Sequence, residues 1–153
     1  MMKPRLKWVV VGSALALSIT AAVGLAVMTV QPARPDASDP RLVSLGQKVY
    51  ADYCASCHGV NLEGQPDWRT RDEDGRLPAP PHDDTGHTWH HPDEQLVGIV
   101  RDGLEPYAPE GYQSDMPGFG DVLTREEILA VIAYIKSTWP DEIQARQAGR
   151  SAQ

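Results

Sequence analysis

Cysteine is scarce in this sequence, with only Cys54 and Cys57 among 153 residues. A closed zinc site would need further Cys or His ligands at matching spacing, and no other thiol exists to supply them. A dithiol redox pair is expected beside a βαβ pattern, which the chain also lacks. Methionine is thin in the body of the chain: Met1, Met2 and Met28 crowd its start, leaving Met116 alone beyond residue 30. Basic residues are in deficit, 14 Lys and Arg against 21 Asp and Glu, which argues against nucleic acid as a partner. There is no internal repeat. The length leaves room for one compact domain and an accessory segment, and hardly for two cores.

Charge of either sign is missing from Val9 to Val30, a run of 22 residues preceded by Lys3, Arg5 and Lys7. As a helix at ~1.5 Å per residue it would reach roughly 33 Å, enough to cross a hydrocarbon core of about 30 Å. Residues 1–30 are therefore expected to be an uncleaved, single-pass membrane anchor. The rival is a cleaved signal peptide, but Ala14, Ala16, Ala21 and Ala22 lie inside the run rather than at its polar end. The positive-inside rule keeps the basic flank in the cytoplasm and sends the rest of the chain to the periplasmic side of an inner membrane. Beyond residue 30 the formal charge is -10, because three basic and no acidic residues are left behind. Such a surface suits partners with basic docking patches, and it also suits simple solubility.

Residues 31–40 hold Pro32, Pro35 and Pro40 and read as a stiff linker. The folded domain is expected over 41–140. Leu42, Leu45, Val49 and Tyr53 recur at helical spacing and predict a helix running into Cys54-Ala55-Ser56-Cys57-His58, with Gly59 as its stop. Residues 59–92, rich in Gly, Pro, Asp and His, predict a long loop. A second helix is expected from Pro92 to about Gly103. A third starts at Thr124, where Glu127 completes a capping box ahead of Ile128, Val131, Ile132 and Ile135, and Pro140 is expected to end it. Residues 141–153 are polar and read as a frayed tail. The fold class is all-α.

Two cysteines three positions apart, followed at once by histidine, are what covalent haem attachment requires. Each thiol of Cys54 and Cys57 adds across a haem vinyl group, and the imidazole of His58 then reaches the iron. For the sixth ligand Met116 is the available thioether, in the loop Ser114-Asp115-Met116-Pro117-Gly118-Phe119-Gly120; a core gap-filler is the bland alternative. His82, His87, His90 and His91 compete for that position, and with Asp83 and Asp84 they could instead bind copper or zinc. A third use of this segment would have His90 or His91 serve the N-terminus of the second helix while Trp89 packs on the haem.

These residues resemble the class I cytochromes c, in their monohaem, membrane-anchored bacterial branch, over about residues 42–139. The resemblance implies three main helices wrapped around one haem c, here preceded by one transmembrane helix. It implies that Gly46 and Tyr50 on the first helix pack closely against Tyr134 on the last. It also implies a proline carbonyl that accepts the other ring N–H of His58, for which Pro80 is the choice over Pro66 and Pro78. The stretch from Gly64 to Pro78 is longer than the family's short core; within it Trp68 is a candidate haem neighbour, and Arg69 or Arg71 could face the propionates.

The expected function is that of a single-electron carrier in a membrane-associated respiratory chain, not an enzyme and without a small-molecule substrate, since two filled axial positions leave none open for oxygen or peroxide. Its partners would be redox proteins. The alternatives are the haem subunit of a larger oxidase or dehydrogenase, and a copper-handling or redox-sensing protein using the His82–His91 cluster.

Overall fold

A computed structural model describes residues 34–152. The expected membrane anchor and residues 31–33 of the linker lie outside them; among the described residues no helix is long and apolar enough to cross a membrane. These residues form helices and loops with no strand. The α-helices are α1 (Pro40–Tyr53), α2 (Ala55–His58), α3 (Asp93–Asp102), α4 (Arg125–Ser137) and α5 (Asp141–Ser151). Single 3-10 turns occur at Thr88–His90 and Glu105–Tyr107.

The start of α1 is set by Asp39, whose carboxylate accepts from the backbone N–H of Arg41 and Leu42, with Pro40 pre-shaped for the first helical position. The helix thus begins inside what reads as linker. Gly46, Val49 and Tyr50, three and four residues apart, make its buried stripe. That stripe crosses α4, where an added Cβ on Gly46 would stand 1.9 Å from the Ala130 carbonyl oxygen and 2.8 Å from Tyr134 Cβ. Only a residue without a side chain allows this approach. The Tyr50 and Tyr134 rings meet beside it at 5.5 Å.

Helix α4 opens on the expected capping box: Thr124 Oγ1 accepts from Glu127 N–H, and the Glu127 carboxylate accepts from Thr124 N–H. It is buried on more than one face. Besides Ile128, Val131, Ile132 and Ile135, it hides Leu129, Ala130, Ala133 and Lys136. Helices α1 and α3 both pack on it.

One expectation fails at the C-terminal end. Helix α4 does end ahead of Pro140, at Ser137, and Pro140 then stands at the N-terminus of α5. Residues 141–151 are not a frayed tail but a helix that packs on the 3-10 turn at Thr88–His90. The reason is polar. Gln147 is fully buried, and its Nε2 donates to Asp93 Oδ1 at 2.7 Å and to the His91 carbonyl at 3.2 Å. The same Asp93 oxygen accepts from Lys136 Nζ at 2.7 Å, and the N–H of Asp93 donates to Ser151 Oγ. Thus Ser151, rather than His90 or His91, serves the N-terminus of α3. Ile143 supplies the apolar anchor.

Candidate functional site

Helix α1 does not run unbroken into the cysteine segment. The helix is interrupted at Cys54 (φ -115°, ψ -37°), and the four-residue α2 follows and ends on Gly59 at φ 82°. The junction is tied by Tyr50, whose hydroxyl donates to the Gly59 carbonyl at 2.8 Å. Burial of that phenol, then the neighbouring Cys54 and Tyr134, pushes its pKa up and keeps it a donor. Cys54 is partly buried and packed against the core, while Cys57 is exposed. They form no disulfide, and burial pushes the Cys54 thiol up to about 11. A dithiol built for exchange would show the opposite shift.

His58 is buried, and its Nδ1 lies 2.8 Å from the Pro80 carbonyl oxygen. A carbonyl can only accept, so Nδ1 carries the proton and Nε2 is left with a free lone pair. Burial lowers the pKa of this imidazole, with the Pro80 hydrogen bond acting in the other direction, so the ring is held in the neutral form that binds metal. Of the three prolines in question it is Pro80 that meets His58. Gly64 is responsible for the approach: at φ 71° it lies so close to the Pro80–Pro81 peptide that a Cβ would be 2.5 Å from Pro81 N. Sequence reading passed over Gly64, although a glycine in a loop ahead of two prolines was the available sign.

Met116 is partly buried on a loop strapped to the end of α3. Phe119 N–H donates to the Val100 carbonyl and Gly120 N–H to the Arg101 carbonyl, both at 2.9 Å. The missing side chains of Gly103 and Gly118 let the two segments touch where they cross, with a Cβ on Gly118 reaching 2.8 Å from Arg101 O. Arg76, from the long loop after His58, forms an ion pair with Asp115, the neighbour of Met116. Arg76 Nε and Trp89 Nε1 are buried donors with no partner among the described residues, and both are of the type a carboxylate accepts from.

The histidine-rich segment is used for ring packing. His82 stacks on His58, His87 on Trp68, and His90 on Trp89, with centroids 3.9, 5.5 and 3.8 Å apart. His91 meets His87 edge-on at 5.5 Å. Arg69 lies over the Trp68 ring, and Arg71 binds the Gly75 carbonyl near Tyr112. Among the described residues no group of three or more His, Cys, Asp or Glu converges as metal ligands would.

A neutral imidazole with a free Nε2, directly after one unpaired thiol and one helical turn after the other, is a donor set that fits a haem held by two thioethers. Comparison with known proteins agrees. Residues 43–139 match the family model for cytochrome c. Over 103 residues, 65% of this chain, it is 28% identical to the cbb3-type cytochrome c oxidase subunit FixP of Azorhizobium caulinodans. It is 30% identical to a nitrite reductase of Stutzerimonas stutzeri over 101 residues, 62% of this chain. It is 41% identical to the cytochrome bc1 complex cytochrome c subunit of Mycobacterium tuberculosis over 59 residues, 37% of this chain. The chain spans 31%, 15% and 21% of the length of those three relatives. No solved structure matches it. With a family model covering well over half its length and the Cys54-Cys57-His58 motif inside the matched range, the chain belongs to the cytochrome c family and carries a covalently bound haem c.

Proposed function

We propose that this protein is a single-electron carrier in which His58 and Met116 are the two axial ligands of the haem iron, held at the inner membrane by residues 1–30 with the haem domain on the periplasmic side. The observation that carries the reading is the His58–Pro80 hydrogen bond, which leaves one ring nitrogen, and only that one, able to bind iron. The haem, when bound through Cys54 and Cys57, supplies a ferric/ferrous couple. The chain does the rest. Pro80 fixes the tautomer of His58, a service that metal-bound histidines commonly receive from a carbonyl. The α3 strap and the Arg76–Asp115 pair hold the Met116 loop in place. Thioether ligation favours the reduced state relative to two histidines and raises the potential. An acidic surface, -10 beyond residue 30, would steer partners with basic patches.

A second reading is favoured by the relatives: FixP and the bc1 cytochrome c subunit are, by name, parts of respiratory complexes. The haem domain would then serve a larger oxidase or dehydrogenase. Affinity purification from detergent-solubilised membranes separates the two, since a stoichiometric complex retained through gel filtration supports the subunit and a lone chain supports the carrier.

Ligation is tested by the visible and near-infrared spectrum of the ferric protein. Met116→Ala and Met116→His should abolish the weak sulfur-to-iron band; a band unchanged by either substitution would rule out Met116. The location is tested by fractionation: recovery in the soluble periplasmic fraction, processed near residue 30, would remove the anchor.

A further inference from the structure

We propose that His82 is a positioning residue for the iron ligand: its imidazole is a fixed plate that sets the ring plane of His58. The two rings are stacked with centroids 3.9 Å apart and planes inclined by only 22°. A hydrogen bond tolerates a wide range of tilt, so the Pro80 carbonyl holds Nδ1 of His58 without fixing the plane of the ring about it. A flat surface at van der Waals distance removes that freedom, because rocking the ring toward it is blocked.

The plate is itself held from several sides. His82 Nδ1 lies 2.8 Å from Thr88 Oγ1, and Thr88 is buried. His82 N–H donates to the Leu62 carbonyl at 2.8 Å, and the His82 carbonyl accepts from Trp139 Nε1 at 2.7 Å. Tyr50 meets the ring edge-on at 6.4 Å. Leu62 is in the left-handed region at φ 65°, a conformation a bulky residue adopts only under constraint, and in it one carbonyl receives the N–H of both His82 and Asp83. A side chain that merely filled space would need neither the strained carbonyl nor a buried hydroxyl partner.

This rests on His58 binding iron, which His58→Ala tests by itself: a low-spin ferric spectrum persisting in that variant would refute ligation, whatever His82 does. The plate is tested in the full-length, haem-loaded protein by the paramagnetically shifted haem methyl resonances of the ferric state, which report ligand ring orientation, and by the midpoint potential. His82→Leu keeps bulk but not flatness. It should reorder or respace the methyl resonances and shift the potential while the sulfur-to-iron band persists, and His82→Phe should restore the parental pattern. A parental methyl pattern and potential in His82→Leu would overturn the proposal, as would a change in His82→Phe as large as in His82→Leu. Should His82→Leu fail to retain haem, Thr88→Val decides, since it removes only the hydroxyl beside Nδ1: a moved pattern supports the plate and an unmoved one overturns it.

Discussion

Gly46→Ala is the sharpest test of the packing that underlies the site. The new Cβ would lie 1.9 Å from Ala130 O, 2.5 Å from Ala130 C and 2.8 Å from Tyr134 Cβ. An ordinary carbon–oxygen contact is about 3.3 Å, so α1 and α4 would have to separate by about 1.4 Å. The obstacles are backbone and a Cβ, and no flexible side-chain end can swing away. Overpacking of this kind costs about 1–3 kcal/mol, and a rigid obstacle puts it at the upper end. Alanine returns about 1 kcal/mol through helix propensity. The clash wins, with a net loss of about 2 kcal/mol. At roughly 4 °C per kcal/mol for a domain a little over 100 residues long, the midpoint should fall by about 8 °C. The assay is thermal unfolding of the haem-loaded protein, followed by far-UV circular dichroism and by the haem absorption band. Gly149→Ala on α5, with nothing within 4 Å of its new Cβ, isolates the propensity gain and should raise the midpoint slightly. If Gly46→Ala melts within about 3 °C of the parent, the close crossing of α1 and α4 is wrong.

Three further outcomes are expected. Gly64→Ala, strained at φ 71° and pressed on the Pro80–Pro81 peptide, should displace the Pro80 carbonyl from His58 and change the midpoint potential, measured by potentiometric titration. Asp93→Ala strips Lys136 and Gln147 of their shared acceptor in a site where the ion-pair side chains are 11% and 16% exposed; it should cost about 3 kcal/mol in denaturant unfolding, and Asp93→Asn less. His87 is held below its ordinary pKa by burial, then by His91, His90 and Arg69, so as pH falls the unfolded chain takes up this proton before the folded one. Stability should therefore decline below about pH 6.5, and His87→Gln should flatten the decline in a pH series of melts.

The parts of the site that are local in sequence were the legible ones. Cys54, Cys57 and His58 announce themselves by spacing, the start of α4 by Thr124 and Glu127, and the ends of α2 and α3 by Gly59 and Gly103. Pro80 was reachable only through the family resemblance, because a carbonyl carries no sequence signature. What stayed hidden depends on contacts between distant residues. Helix α5 has one buried aliphatic, Ile143, and otherwise closes on Gln147, whose worth comes from Asp93, 54 residues away. A search for apolar periodicity has nothing to find there. The histidines were ambiguous for a related reason: four imidazoles close in sequence could share a metal, serve a helix or pack, and only the backbone turns His82, His87 and His90 onto three different rings.

The bond from Trp139 to the His82 carbonyl spans 57 residues and joins the segment just after α4 to the residue whose ring stacks on His58. In kinetic terms it is a contact of high order, made only after a large loop has closed. The thiols of Cys54 and Cys57 need nothing but their own helix to lie side by side, whereas the wall behind His58 needs nearly the whole domain. A folding chain should therefore have its two thiols in place early and the surroundings of His58 late, with a loosely held imidazole in between.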